Sequence, residues 1–193
     1  MRRFEGISTE RLAIRLLDER DAAEFIRYRN LPEVFRYQAW LPGSLAEVRD
    51  FCLRNSTEEP FRPSIYTQFA LTIKEDGELV GDVGVILSAD GAQAELGFSL
   101  SPPFMGMGYA TEAVYALLGY LFEEVGLHRV HASVDPENVR SIRLLERLGF
   151  RLEGHLVKSY RMRGGWYDDC IFGMLEEEWD ANKDAAVTGG RNG

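Results

Sequence analysis

The loop around Gly106 and Gly108 is the part of the sequence best suited to chemistry, because it stands between a strand and a helix. Residues 93–100 are predicted to form the strand and residues 109–125 the helix. The first N–H groups of a helix have no partner within the helix, and the helix dipole places partial positive charge there. Glycines let an anion approach that backbone closely. The loop is therefore a candidate site for the diphosphate of a nucleotide cofactor.

Two other interpretations of this loop remain open. In the first interpretation, Gly106 and Gly108 form only a tight turn. In the second they begin a GxGxxG dinucleotide motif, with Asp135 as the acid that binds the ribose. Thr111 occupies the position of the third glycine, and the preceding strands are predicted to be antiparallel, so the second interpretation is the weaker one.

Two blocks of sequence carry a resemblance to a known family. They are residues 105–113, MGMGYATEA, and residues 135–150, DPENVRSIRLLERLGF. Both resemble signatures of the GCN5-related N-acetyltransferases (GNAT), in the branch typified by RimJ and RimL. Residues 9–16 and 165–168 match as well, so the resemblance covers roughly residues 8–178. It implies transfer of an acetyl group from acetyl-CoA to a primary amine by direct attack, with no metal and no covalent enzyme intermediate.

The resemblance also implies which residues bind the cofactor. They are Phe98, Leu100, Met105, Gly106, Met107, Gly108, Tyr109, Ala110, Thr111, Asn138 and Arg143. The chain departs from the family loop at Pro103, where Gln or Arg is common, and at Met105 and Met107, where Trp and Lys are common. The backbone donors survive these changes, although a side-chain contact to phosphate is lost.

Three polar residues are candidate catalytic groups. The resemblance makes Glu95, on the strand before the loop, the candidate base; an exposed or ion-paired strand residue is the equal alternative. A base is needed because a lysine-like amine, with a pKa of about 10.4, is almost fully protonated at pH 7. Asn138 and Ser141 lie one helical turn apart and share a face. By resemblance Asn138 contacts the pantetheine arm and Ser141 donates to the departing sulfur, while Asn138 also suits an N-cap. Many relatives carry a tyrosine donor at the position of Leu145, and leucine cannot donate.

The resemblance makes aromatic residues of two segments candidates for binding the acceptor amine. Tyr37 and Trp40 lie in an irregular stretch and Trp166 lies near the last turn, where Asp168 could attract a cationic amine. Packing within loops is the alternative for each of the aromatic residues, and an exposed turn is the alternative for Asp168.

Composition limits the partners. The 22 Lys and Arg against 31 Asp and Glu give a net charge of −9, which disfavours nucleic acid. The beginning of the chain has no apolar run of the signal-peptide kind, and no stretch approaches the roughly 20 apolar residues of a membrane span. The two cysteines show neither a disulfide framework nor metal spacing, and the histidines show no HExxH pattern. We therefore expect a cytoplasmic protein without a metal; a homodimer is left open.

The predicted fold is α+β. Seven strands are predicted at 11–17, 66–73, 79–87, 93–100, 129–134, 152–162 and 167–175, with helices from 18, 44, 109 and 138. The resemblance implies a GNAT-type mixed, mostly antiparallel sheet of about seven strands with helices on both faces. We expect one domain over residues 1–180 and a disordered tail over 181–193. The acceptor is either a protein N-terminus or a small amine. The alternatives are a succinyl- or other acyl-CoA transferase and a noncatalytic acyl-CoA-binding regulator.

Overall fold

The computed structural model describes residues 4–38, 40 and 42–189. Eight strands form one sheet in the order β1-β2-β3-β4-β5-β6-β8-β7. They are β1 Ile7–Ser8, β2 Leu12–Leu16, β3 Tyr66–Ile73, β4 Leu79–Leu87, β5 Gln93–Leu100, β6 Arg129–Val134, β7 Arg151–Met162 and β8 Gly165–Leu175. All neighbouring strands are antiparallel except β5 and β6, which are parallel. The predicted fold class is confirmed, with the short β1 as one strand more than expected.

Six helices connect or follow these strands. They are α1 Ala22–Arg29, α2 Pro32–Phe35, α3 Leu45–Thr57, α4 Tyr109–Gly119, α5 Val139–Arg147 and α6 Glu176–Gly189. A π-helical segment, Tyr120–Val125, continues α4. The predicted capping box at the start of α3 is present: Ser44 Oγ accepts from the Glu47 N–H, and the Glu47 carboxylate accepts from the Ser44 N–H.

The sheet buries apolar side chains on both faces, because successive residues of a strand point in opposite directions. Phe69 and Leu71 of β3 belong to the larger core, which includes α4 and α5. Ala70, between them, belongs to a second core formed with α1 and α3. The helices therefore cover both faces, as predicted.

Some boundaries differ from those predicted. The helix predicted from Asp18 begins as a 3-10 turn, Glu19–Asp21, capped by the Asp18 side chain, and continues as α1. The segment 181–193 was expected to be a tail; α6 extends through its first part, and residues 190–193 lie outside the described residues. The dinucleotide-binding interpretation is wrong, since β5 pairs with β4 in antiparallel fashion rather than within a doubly wound parallel sheet. Among the described residues, no helix is both long and apolar enough to cross a bilayer.

Candidate active site

A gap between two parallel strands organises the site. Residues 93–95 of β5 pair with residues 129–131 of β6, and within the described chain these are the only pairs between the two strands. β5 then continues to Leu100 and β6 to Val134 without pairing to each other. Backbone groups on the free side of β5 are therefore available to a ligand, as the predicted role of Phe98 and Leu100 requires.

A cleft of about 910 Å³, here called the larger cleft, opens beside this gap. Most of the predicted cofactor residues line it: Phe98, Leu100, Met105, Gly106, Gly108, Ala110, Thr111, Asn138 and Arg143. Met107 and Tyr109 do not. The Met107 side chain is exposed, and Tyr109 lies under the Arg11 guanidinium, 4.4 Å from its ring centroid.

The start of α4 presents unoccupied backbone donors to the larger cleft. Gly106 and Gly108 have φ angles of 79° and 84°, a region that glycine adopts easily. A Cβ built on Gly106 would meet nothing within 4 Å, so the space beside it is open. Gly108 is the N-cap of α4, and no side chain caps the helix there. The first N–H groups of α4 are thus free to bind an anion, which fits the diphosphate predicted for this loop.

Glu112 fixes the position of that helix end. Its carboxylate accepts from Thr9 Oγ1 at 2.6 Å, from the Arg11 N–H at 2.8 Å and from Arg11 Nε at 2.7 Å. Burial alone would raise the pKa of Glu112, but these hydrogen bonds outweigh burial and lower the pKa below its ordinary value. Arg11 also donates to the Met107 carbonyl at 2.9 Å. The only local sign of these contacts in the sequence is an acidic residue in the first turn of a predicted helix.

A row of arginines gives the larger cleft local positive charge despite the net charge of the chain. Arg140, Arg143 and Arg147 of α5 all line it. Arg147 Nη1 donates to Thr111 Oγ1 at 3.3 Å, so it reaches across to α4. Of these three, Arg147 was not considered from sequence, although it lies four residues after Arg143 and therefore on the same helix face.

A second cavity, of about 360 Å³, meets the larger cleft and is here called the smaller cavity. The two share Tyr37, Gln38, Phe98, Asn138 and Ser141, which form the junction between them. Glu95 and Trp40, predicted as base and acceptor contact, line the smaller cavity. The structure thus brings together all three predicted catalytic residues, at the junction or beside it.

Glu95 is half exposed and faces other titratable groups. Its carboxylate lies 3.8 Å from His131 Nε2. The pKa of His131 is lowered, first by burial and then by Arg129, while Glu95 acts in the opposite direction. Burial raises the pKa of Tyr66 and of Tyr160, and the charge of Glu95 adds to both shifts. Glu95, Tyr66 and Tyr160 all line the smaller cavity.

Asn138 and Ser141 begin α5 at the junction. Asn138 Oδ1 accepts from the Ser141 N–H at 3.3 Å, so Asn138 is the N-cap that the sequence suggested. Ser141 lines both cavities, whereas Leu145, one turn further on, is fully buried in the core. Tyr37 also borders both cavities, and its hydroxyl donates to the Glu137 carbonyl at 3.4 Å. Two hydroxyl groups are therefore available at the junction.

A buried polar network lies next to the junction, and no sequence pattern predicts it. Asp82 is fully buried and accepts hydrogen bonds from Tyr28, Arg29 and Gln68. Arg29 Nη1 donates in turn to Gln38 Oε1 at 3.2 Å.

Gln38 completes the link to the gap. Its Nε2 donates to Ser99 Oγ of β5 at 3.1 Å. Because Gln38 borders both cavities, the network fixes this residue of the predicted irregular segment against β5. The Asp82 and Ser99 side chains that take part are distant from Gln38 in sequence.

Trp166 and Asp168 do not reach either cavity. Trp166 is exposed and lies under Arg161, whose guanidinium carbon is 6.0 Å from the ring centroid. Asp168 accepts from the Lys158 N–H at 2.9 Å and lies 2.8 Å from His155 Nε2. These two contacts, the backbone N–H first, lower the pKa of Asp168. Their predicted role in binding the acceptor is not supported by the geometry of a single chain and stays a prediction.

No group of three or more His, Cys, Asp and Glu residues in the described chain is arranged to hold a metal ion. Cys52 is buried, and burial raises the pKa of its thiol to about 12. Such a thiol is a poor nucleophile at neutral pH, and Cys52 packs in the second core as a small apolar residue.

Comparison with known proteins agrees with this site. A family model described as Acetyltransferase (GNAT) domain matches residues 11–151. The uncharacterized N-acetyltransferase p20 of Bacillus licheniformis is 32% identical over 91% of this chain and 99% of its own length. The ribosomal protein uS5-alanine N-acetyltransferase of Escherichia coli is 27% identical over 90% of this chain and 92% of its own.

A solved structure is similar as well. A GNAT-family acetyltransferase from Bacillus anthracis superposes with a TM-score of 0.80 at 29% identity, covering 89% of this chain and 99% of its own. The family model spans well over half of the chain, and the sheet carries the expected gap between β5 and β6. The chain therefore belongs to the GNAT family of N-acetyltransferases, which use an acyl-CoA as co-substrate, as the motifs at 105–113 and 135–150 predict.

Proposed function

We propose that the protein transfers the acetyl group of acetyl-CoA to a primary amine by direct attack of the amine. The observation that carries this proposal is the junction where the two cavities meet. On one side lie free backbone donors and arginines suited to phosphates, and on the other a carboxylate suited to an amine. An acceptor amine and a thioester could therefore meet beside Asn138 and Ser141.

The residues of the larger cleft divide the task of holding the co-substrate. The N–H groups after Gly108 bind the diphosphate, and Arg143 with its neighbours Arg140 and Arg147 binds further phosphate oxygens. The free backbone edge of β5, at Phe98 and Leu100, orients the pantetheine arm together with Asn138. When bound, acetyl-CoA supplies the thioester carbon that the amine attacks.

Glu95 removes the proton that the amine must lose. We propose that a water relays this proton, since Glu95 lines the smaller cavity but not the larger cleft. An amine with an ordinary pKa near 10.4 needs this help far more than an α-amino group near 8 does. His131 lies 3.8 Å from the Glu95 carboxylate, and its lowered pKa favours the neutral imidazole. A neutral imidazole does not neutralise the negative charge of Glu95.

Two hydroxyl groups are candidates for the proton that the leaving sulfur receives. Ser141 is favoured because its hydroxyl borders both cavities at the N-terminus of α5. Tyr37 is the alternative, since it borders both as well. Backbone N–H groups of β5 near Leu100 stabilise the charge that develops on the carbonyl oxygen.

The decisive experiment measures CoA binding and thiol release separately. Calorimetry should detect acetyl-CoA binding, and a thiol reagent should report CoA release that depends on an added amine. The Glu95→Gln variant should bind acetyl-CoA normally and release thiol about 100-fold more slowly. Glu75→Gln, in the exposed turn between β3 and β4, is the matched control and should behave as wild type.

Other results would identify the alternatives. Binding without release for every amine would favour the noncatalytic regulator. Faster release from succinyl-CoA would favour a different acyl donor. Ser141→Ala should lower turnover with little change in acetyl-CoA affinity; if Tyr37→Phe does so instead, the proton donor is Tyr37.

We also propose an acceptor class, a dimer surface and a cellular location for the protein. The Escherichia coli relative is named for the alanine of a ribosomal protein, which favours a protein N-terminus as one acceptor class. For a homodimer, the exposed edge strand β7, with Leu152, Leu156 and Val157, is the surface we favour. Light scattering at several concentrations tests that choice. The cytoplasmic location rests on cysteine usage alone.

A further inference from the structure

Gly97 lines the smaller cavity, and no described neighbour would clash with a side chain at this position. Gly97 lies opposite Gly84 in the β4–β5 ladder, between the rows that contain Glu95 and Ser99. A Cβ built on Gly97 would meet nothing within 4 Å, and its φ is not in the positive region. A glycine inside a strand weakens the strand, so its presence needs another reason.

Gly84 provides the contrast. A Cβ there would approach Gln68 Oε1 to 2.8 Å, and Gln68 belongs to the buried Asp82 network. Packing therefore explains the absence of a side chain at Gly84. The open space above Gly97 is instead the smaller cavity itself. Space is thus kept for a ligand rather than for a neighbouring side chain.

Six aromatic residues are among those that line the smaller cavity. Trp40 and Phe51 lie side by side, with ring centroids 5.7 Å apart. Tyr66 and Tyr160 lie near Glu95, and both line the cavity. Flat apolar groups pack well against such rings.

The ionised groups of the smaller cavity favour an amine of small size. Among the described residues that line it, Glu95 and Asp135 carry carboxylates. Arg29 also lines the cavity, but its charge is paired with that of Asp82. The local charge is therefore negative. A volume of about 360 Å³ is at the small end of the range of ligand pockets, which is about 300–1,000 Å³.

We propose that the acceptor is a small primary amine carrying a flat apolar body, and that the body lies over Gly97. This inference rests on the proposed function and makes Gly97 the residue that sets which acceptors fit. A larger residue at position 97 fills the space that the body occupies, whereas the larger cleft is unaffected.

The experiment compares four acceptors with two variants. The acceptors are phenethylamine, ethylamine, spermidine and a peptide with an N-terminal alanine. Gly97→Val should lower kcat/KM for phenethylamine at least about tenfold, with much less effect on ethylamine. Gly154→Val is the matched control, since Gly154 is also a strand glycine with open space and no positive φ, on β7 away from both cavities. Affinity for acetyl-CoA should stay the same in both variants, and the melting temperature should not fall in either, because valine favours a strand more than glycine does.

Calorimetry on the CoA-loaded protein separates the two proposals. Binding of phenethylamine that Gly97→Val abolishes would support this inference even without turnover, in which case only the proposed function fails. Turnover that prefers the peptide or spermidine would overturn the inference while the proposed function stands. Equal effects of Gly97→Val on phenethylamine and ethylamine would also overturn it.

Discussion

The larger cleft and the smaller cavity meet at one junction but are constructed differently. The larger cleft combines backbone groups of one continuous segment, the loop and helix start at Gly106 and Gly108, with three arginines of α5 and with Arg36 after α2. The smaller cavity depends on side chains from β3, β5, β6 and the segment before α3. Local backbone geometry sets the larger cleft, whereas the smaller cavity forms only when distant elements pack together.

This difference has a physical consequence. A backbone donor at a helix end tolerates many changes of side chain, which explains why Met105 and Met107 can replace the usual residues of the family. A cavity made of side chains changes shape with each substitution. We therefore expect one half of the site to be robust and the other to set specificity.

The largest effect is expected at the buried network under the smaller cavity. Asp82→Asn removes the charge that Arg29 requires and leaves a buried guanidinium without its counter-ion. The free energy of unfolding should fall by about 3–5 kcal/mol, measured by urea denaturation. Asp50→Asn, at an exposed carboxylate of α3, should change it by less than about 0.5 kcal/mol. A small effect at Asp82 would mean that the smaller cavity does not depend on this network.

The next effect concerns the larger cleft. Gly106→Ala should weaken acetyl-CoA binding about tenfold, because the new methyl group enters the open space and the backbone must hold a positive φ. Gly91→Ala, in the turn between β4 and β5, has a similar φ and equally open surroundings. It should show the same loss of stability without a change in affinity. Calorimetry and thermal melting measure the two quantities, and equal affinities in the two variants would contradict the prediction.

A smaller effect is expected at the anchor of α4. Glu112→Gln should lower the free energy of unfolding by about 1 kcal/mol and weaken acetyl-CoA binding a few-fold, because a neutral amide binds Arg11 less well. The pKa of Glu112 is lowered by folding, so its contribution is present above its ordinary value of 4.5 and is lost as the pH falls below that value. The difference between wild type and variant should therefore shrink on going from pH 7 towards pH 3. Glu124→Gln, at an exposed carboxylate of the π-helical segment that continues α4, is the control.

The smallest effects on stability are expected at Ser99 and Ser101, the two serines on either side of Leu100. Ser99 Oγ accepts from Gln38, whereas Ser101 Oγ is buried and has no hydrogen-bond partner in the described chain. Ser99→Ala should cost about 1 kcal/mol of stability, and Ser101→Ala should be neutral or stabilise by up to about 1 kcal/mol. Urea denaturation measures both. The reverse order would show that the polar network does not extend to β5.

Much of the fold could be predicted from periodicity. The strands Tyr66–Ile73, Leu79–Leu87, Gln93–Leu100 and Arg129–Val134 have the predicted bounds, because apolar runs and turn residues mark their ends. The two-residue β1 was missed because so short a strand has no pattern of its own. α2 was missed because its four residues follow Pro32 within a segment of irregular composition.

The site was predicted less evenly. The loop, the N-cap Asn138 and the position of Ser141 followed from contiguous motifs, and the structure places them together at the junction. Gln38, Asp82 and Arg147 were missed, because a buried carboxylate or a glutamine in a loop has no sequence signal. Trp166 and Asp168 were chosen because they follow a turn, a position that does not reveal which way a hairpin points.

The sequence by itself determined the candidate anion site at Gly108, since a glycine loop that enters a helix produces free N–H groups wherever it folds. It could not determine the smaller cavity. Only the tertiary structure decided that β5 and β6 separate after Glu95, that Asp82 and Arg29 hold Gln38 against β5, and that Gly97 and Trp40 line one cavity. The reason is that strand pairing and burial join residues far apart in the chain, and no local pattern records such contacts.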